Sequence, residues 1–241
     1  MIESRQNAFI KQIRALKDKK NRDSEGLYIA ESVKMVKEAL KCVPDDVVYV
    51  IGTKTCLQDI DVPETKKVEV TDSVFESIST EVSPQGVLAV IRKPQLLLSS
   101  PKGKCLLLDR VSDPANVGAI LRTAVSAGFK DVYCFNTADP YSPKSVRASM
   151  SGVYKANLYF GALDELLGVI NLPKIVADMN GESVFDFCIN KDFCLVIGNE
   201  ANGVLPKLKQ SADYTVSIPM QNGMESLNAS VSAGILMYLL K

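Results

Sequence analysis

Ten short apolar runs punctuate this chain of 241 residues: GLYIAE, DVVYVIG, KKVEVT, GVLAVIR, KCLLLDRV, DVYCFN, ANLYFG, KIVADM, FCLVIGNE and YTVSIPM. Most are separated by stretches with helical spacing, such as SVKMVKEALKC and NVGAILRTAVSAG. Short strands alternating with amphipathic helices constrain the fold more than any other feature, and they predict α/β architecture with a mainly parallel sheet. The length suits one large or two small domains. RKPQLLLSSPKGK, at 92–104, carries two prolines, two serines and a glycine among basic residues and is the best boundary. It predicts a smaller N-terminal α/β domain over 1–95, a linker over 96–103 and a larger domain over 104–241. The leucines in the linker predict that it packs against something instead of flexing freely.

Lys plus Arg, 28 in all, equals Asp plus Glu, also 28, so net charge gives no hint of a polyanionic partner. The distribution is less even. Arg5, Lys11, Arg14, Lys17, Lys19, Lys20 and Arg22 meet only Asp18 among them, and Arg92, Lys93, Lys102 and Lys104 form a second cluster. Each cluster reads either as a solvated face or as a surface for phosphates. The six cysteines include no CxxC pair, and several sit inside apolar runs, which predicts buried free thiols without disulfides or zinc. No apolar stretch is long enough to span a membrane, and the N-terminus is polar and basic, so the expected location is the cytoplasm. The chain has no histidine, which removes Ser-His-Asp triads, Cys-His pairs, imidazole bases and His-ligated metals.

Three stretches can carry chemistry. In DRVSDPANVGAILRTAVSAGF, 109–129, a strand ends at Asp109 and a loop enters a helix closed by Gly128. Val117, Ile120, Leu121, Ala124 and Val125 mark its core face. Arg122 falls off that stripe between the small residues Gly118 and Ser126, and reads as a surface arginine or as a ligand-facing one. Asn116 reads as a helix cap or as a site residue, and a strand end meeting a helix start is where α/β proteins bind ligands. In LVIGNEANGV, 195–204, the glycine spacing is that of a phosphate loop, but Val204-Leu205 replaces the Lys-Ser/Thr that must follow. Glu200 there reads as a catalytic acid, an arginine partner or a loop charge. In IPMQNGMESLNASVSAGILMYLL, 218–240, a Gly-bearing loop enters an apolar helix, with Ser226 expected as the cap and Asn228 in the first turn.

DPANVGAILRTA, VIGNEANGV and IPMQNGMESLNASVSAGILMY together resemble, in order, the three motifs of the SpoU (TrmH-type) RNA ribose 2'-O-methyltransferases. SRQNAFIKQIRALKDKKNRDSEGLYIAESVKMVKEAL resembles the L30e-like substrate-binding domain that precedes many of their catalytic domains. One departure is Glu31-Ser32, where members commonly have Glu-Gly. The resemblance implies a SPOUT fold, an α/β domain tied in a trefoil knot, which strand and helix periodicity could not have disclosed. It implies S-adenosylmethionine as cofactor, held at Gly198, Ile218, Met220 and Leu227. It implies catalysis by Arg122, with Glu200 orienting it and Asn116, Ser226 and Asn228 arranging the substrate hydroxyl. It further implies an RNA substrate, ribosomal RNA before transfer RNA, bound through Arg5, Lys11, Arg14, Lys17 and Arg147, and a homodimer. No metal is expected. The rival reading is a non-catalytic RNA-binding protein of the same fold.

Overall fold

The structure, a computed structural model, describes residues 1–224 and 226–240. Each of the ten apolar runs forms one strand, the eighth extending beyond its run to Ser183, and these are the strands of the described residues. The chain forms two compact units, one of Met1–Pro94 with Tyr141–Tyr154, the other of Gln95–Pro140 with Lys155–Lys241.

The first unit begins with α1 (Ala8–Ala15) and α2 (Lys19–Glu25), followed by β1 (Leu27–Glu31) and α3 (Val33–Cys42). Then come β2 (Val47–Gly52), α4 (Lys54–Gln58), β3 (Lys67–Glu69), α5 (Asp72–Ile78) and β4 (Val87–Arg92). The sheet order is β1-β4-β2-β3. It is mixed, because β4 inserts between β1 and β2 and runs antiparallel to both. Every residue of β4 from Val87 to Ile91 is fully buried, as a central strand covered on both faces must be. Ile10, Ile13 and Leu16 from the first helix and its end meet Val74, Phe75 and Ile78 of α5 in the core under this sheet.

The second unit opens with the stretch expected to link domains, and that stretch is fastened down. Leu98 packs on the core, the Tyr133 hydroxyl donates to Ser99 O (2.8 Å), and Lys102 N donates to Asp131 (3.0 Å). There follow β5 (Cys105–Asp109), α6 (Pro114–Ser126) and β6 (Asp131–Phe135). The chain then contributes α7 (Pro143–Ser149) and α8 (Gly152–Lys155), whose residues through Tyr154 belong to the first unit. There α7 packs on β1, Tyr141 lies against Tyr28 with ring centroids 4.9 Å apart, and the Tyr154 hydroxyl donates to Met35 O (3.2 Å). The second unit resumes with β7 (Asn157–Phe160), α9 (Leu163–Val169), β8 (Lys174–Ser183), β9 (Cys194–Ile197), α10 (Pro206–Gln210), β10 (Tyr214–Ser217) and α11 (Ala229–Leu239).

The sheet of the second unit has the order β10-β8-β9-β5-β6-β7, and all its pairings are parallel. From β5 the chain builds outward through β6 and β7, then returns to build on the other side of β5. A reversal of that kind opens a crevice at the carboxyl ends of the strands. The loops after β5, β8, β9 and β10 all lead from that edge, and α11 packs against α6 beside it.

Candidate active site

At the end of β5 the Asp109 carboxylate is completely buried, which it can be only because it is paired. It accepts from Arg110 Nε (2.8 Å) and from Leu205 N (2.7 Å), joining the β5 end to the loop after β9. That loop turns tightly, with Asn199 N donating to Gly203 O (3.1 Å) and Gly203 N to Asn199 O (2.9 Å). The Asn199 side chain fixes the turn, accepting from the N–H groups of Ala201 and Asn202 while its amide donates to Arg110 O (2.8 Å). Gly198 is obligatory here, since a Cβ would run into the main chain of Gly203 and Val204, with Gly203 O at 2.7 Å.

The turn presents Glu200 to the loop between β5 and α6. One carboxylate oxygen accepts from Ser112 N (3.0 Å) and Ser112 Oγ (2.9 Å), the other from Asp113 N (3.2 Å) and Asn116 Nδ2 (2.9 Å). Burial raises its pKa, but the Asn116 amide and the N–H groups of Ser112, Asp113 and Glu200 itself outweigh that and bring it from 4.5 to about 2. Asn116, buried on α6, accepts in turn from Asn228 Nδ2 (2.9 Å). The Asn228 Oδ1 accepts from Ser230 N (2.9 Å) and Val231 N (3.4 Å). One hydrogen-bonded chain thus joins the starts of α6 and α11 to the loop after β9.

Two caps differ from expectation. Asp113, not Asn116, caps α6, accepting from Ala115 N (3.0 Å) with Pro114 in the first turn. Asn228 itself caps α11, and Ser226 stands before the helix. Asn116 is thereby released to bridge Glu200 and Asn228. Arg122 lies exposed on α6 without a side-chain hydrogen bond or ion pair among the described residues. Glu200 does not touch it, because four donors from Ser112, Asp113 and Asn116 already occupy both carboxylate oxygens.

Beside this chain lies a cleft of about 980 Å³ lined by Gly198, Glu200, Ile218, Met220, Ser226, Leu227 and Asn228, together with residues of β8, α10 and α11. All four positions proposed for the cofactor lie in this lining, whereas Asn116 and Arg122 do not. Its lining combines apolar side chains, among them Ile197, Val216, Leu227 and Leu236, with polar and charged ones such as Asp178, Asn180 and Lys209. A purine held between apolar walls and edge-bonded by main chain fits such a lining, and the volume accommodates the rest of S-adenosylmethionine. Among the described residues no His/Cys/Asp/Glu group could hold a metal ion, and no helix is long and apolar enough to cross a membrane.

The basic residues named for RNA sit in the first unit, mostly engaged. Arg5 donates to Ser73 O (2.7 Å), Arg14 to Ser77 O (3.1 Å) and Lys17 to Ser79 O (2.6 Å), so all three hold carbonyls along α5 and at its end. Arg147 pairs with Glu81 and reaches Thr80. Lys11 is exposed. The sequence reading passed over Lys34, Lys37 and Lys41, a stripe on the exposed face of α3, although the i, i+3, i+7 spacing opposite its apolar face was visible. It also passed over Asn199 and Ser112, whose roles depend on loop geometry.

Residues 103–238 match the model of the SpoU rRNA Methylase family, and residues 7–89 match an MRM3-like substrate binding domain. The 23S rRNA (guanosine(2553)-2'-O)-methyltransferase RlmP of Bacillus subtilis is 29% identical over 100% of this chain and 98% of its own. A solved TrmH-family chain from Porphyromonas gingivalis is 30% identical and superposes with a TM-score of 0.83 over 97% of both chains. An AdoMet-bound rRNA methyltransferase from Sinorhizobium meliloti, 25% identical, gives a TM-score of 0.86 over 99% of this chain and 95% of its own. With three motifs joined by one hydrogen-bonded chain beside a cofactor-sized cleft, the protein belongs to the SpoU rRNA methylase family and carries its SPOUT α/β fold behind a smaller N-terminal domain.

Proposed function

We propose that the protein transfers a methyl group from S-adenosylmethionine to a ribose 2'-hydroxyl, in ribosomal RNA before transfer RNA, in the cytoplasm. The observation that carries this reading is the Asn228–Asn116–Glu200 chain at the edge of the cleft. Gly198, Ile218, Met220 and Leu227 would hold the cofactor, which when bound supplies an electrophilic methyl on a sulfonium.

The protein's share is placement and charge. Holding a hydroxyl in line with its target can account for roughly 7–11 kcal/mol of a barrier. Glu200, with a pKa near 2 and both oxygens engaged, stays ionised and acts as a positioning group for Asn116 and the loop before α6. A guanidinium does not accept protons near neutrality, so Arg122 acts as a donor, gripping the neighbouring phosphate or the developing oxyanion. The hydroxyl proton then leaves to water or phosphate. Arg122 neither lines the cleft of its own chain nor bonds Glu200, which favours its supply to the cleft of a second copy. The exposed Val231, Tyr238 and Leu239 of α11 and the neighbouring Leu227 offer the apolar surface for such a homodimer. Lys11, Arg147 and the basic residues around α5 would meet RNA phosphates.

The test is transfer of labelled methyl to ribosomal and transfer RNA from cells lacking the protein, followed by digestion to nucleosides. Label should appear as a 2'-O-methylnucleoside in ribosomal RNA. Arg122→Ala should abolish it with cofactor affinity within about threefold, a change below 1 kcal/mol. Mixing Arg122→Ala with Asn228→Ala subunits should restore part of the activity if the site is shared. Cofactor binding without transfer to either naked RNA would point to a ribosomal particle as substrate.

A further inference from the structure

Among the described residues, three ionisable side chains line the cleft: Asp178, Glu200 and Lys209. Glu200 is spent on the loop between β5 and α6. Asp178 of β8 and Lys209 of α10 form an ion pair on the side of the cleft away from β5, since β9 lies between β8 and β5. The Asp178 side chain is only 12% exposed, whereas that of Lys209 is 44% exposed. A shallow pair of this kind adds little to stability by itself. Both residues line the cleft with bonding capacity to spare. Asp178 accepts from Lys209 and from Asn180 N (3.1 Å), leaving lone pairs on its carboxylate. An ammonium has three donors, and among the described residues Lys209 uses one, on Asp178. Leu208, buried beside it, anchors the short α10 and hence the lysine's position.

We propose that Asp178 and Lys209 form the binding site for the amino-acid end of the cofactor, Lys209 receiving its α-carboxylate and Asp178 its α-ammonium. The assignment rests on the methyltransferase reading of the cleft. A zwitterion laid against an oppositely ordered ion pair satisfies all four charges at once, and the apolar walls nearer β9 and β10 are left for the adenosine. The pair therefore selects ligands by their amino-acid group, independently of methyl transfer.

Calorimetric titration of S-adenosylmethionine, S-adenosylhomocysteine and 5'-methylthioadenosine into the wild type, Lys209→Met, Lys209→Arg and Asp178→Asn tests this. Methylthioadenosine keeps the nucleoside and thioether but lacks the amino-acid group. Lys209→Met and Asp178→Asn should weaken both amino-acid ligands about tenfold, or 1.4 kcal/mol, and methylthioadenosine less than about twofold. Lys209→Arg should recover most of the loss, and melting temperatures of the variants check folding. Equal weakening of all three ligands, or of none, would overturn the assignment while leaving the cofactor reading intact. Failure of the wild type to bind any of the three would overturn the reading of the cleft and the assignment with it.

Discussion

Ser32 sits at φ 103°, ψ 151°, a region open to glycine and costly for any side chain. Its hydroxyl caps α3 by accepting from Met35 N (3.2 Å). The strain costs about 1–3 kcal/mol, whereas exchanging a serine cap for glycine costs only a few tenths, about 0.3 kcal/mol. Ser32→Gly should therefore stabilise the protein by about 1 kcal/mol after the entropy of the added glycine, a rise in melting temperature of about 2–4 °C. Glu200 sets a second expectation at this scale. Its folded pKa lies below its ordinary 4.5, so the stabilisation it gives is complete above that value and is lost as pH falls toward about 2. Urea midpoints at pH 5, 4 and 3 should fall more steeply for the wild type than for Glu200→Gln. At neutral pH the same variant should lose methyl transfer, because its amide would face donors where the carboxylate now accepts.

At the scale of the element, the turn after β9 decides the site. Gly198→Ala should displace the Gly203–Val204 main chain, costing about 1–3 kcal/mol of overpacking and lowering cofactor affinity at least about tenfold. A thermal melt and a titration with S-adenosylhomocysteine check the two effects, and unchanged affinity would separate this turn from the cofactor. Much of the element level was legible. The apolar runs became strands, with β4, β5 and β9 buried along nearly their whole length as central strands covered on both faces, and the Val117–Ile120–Leu121–Ala124 stripe became the buried face of α6. The caps were misassigned, since several neighbouring polar residues could cap and only the φ and ψ at which the chain enters the helix decides among them. Glu200's partners were hidden for a different reason. Asn116 lies 84 positions away, and no local pattern encodes a contact that the crossing of β5 and β9 creates. The motif resemblance named the participants, but not which of them touch.

At the scale of the whole molecule, the boundary at 92–104 marks a change of unit, yet residues 141–154 return to the first. Their small, polar spacing in SPKSVRASMSG gave no apolar run to flag them, and their place rests on Tyr141 and Tyr154 meeting Tyr28 and Met35. A fragment ending at Pro94 would leave the face of β1 beneath α7 uncovered. It should bind a hydrophobic dye and unfold without a sharp transition, whereas the intact chain should do neither, as fluorescence and calorimetry would register. The same interleaving bears on inheritance. A substrate-binding unit encoded in one uninterrupted block can be traded between genes by a single recombination event. Here a single crossover near codon 95 would deliver a new β1 with the old segment that covers it, so exchange of this unit requires two coordinated events or a slow accumulation of paired substitutions across that contact.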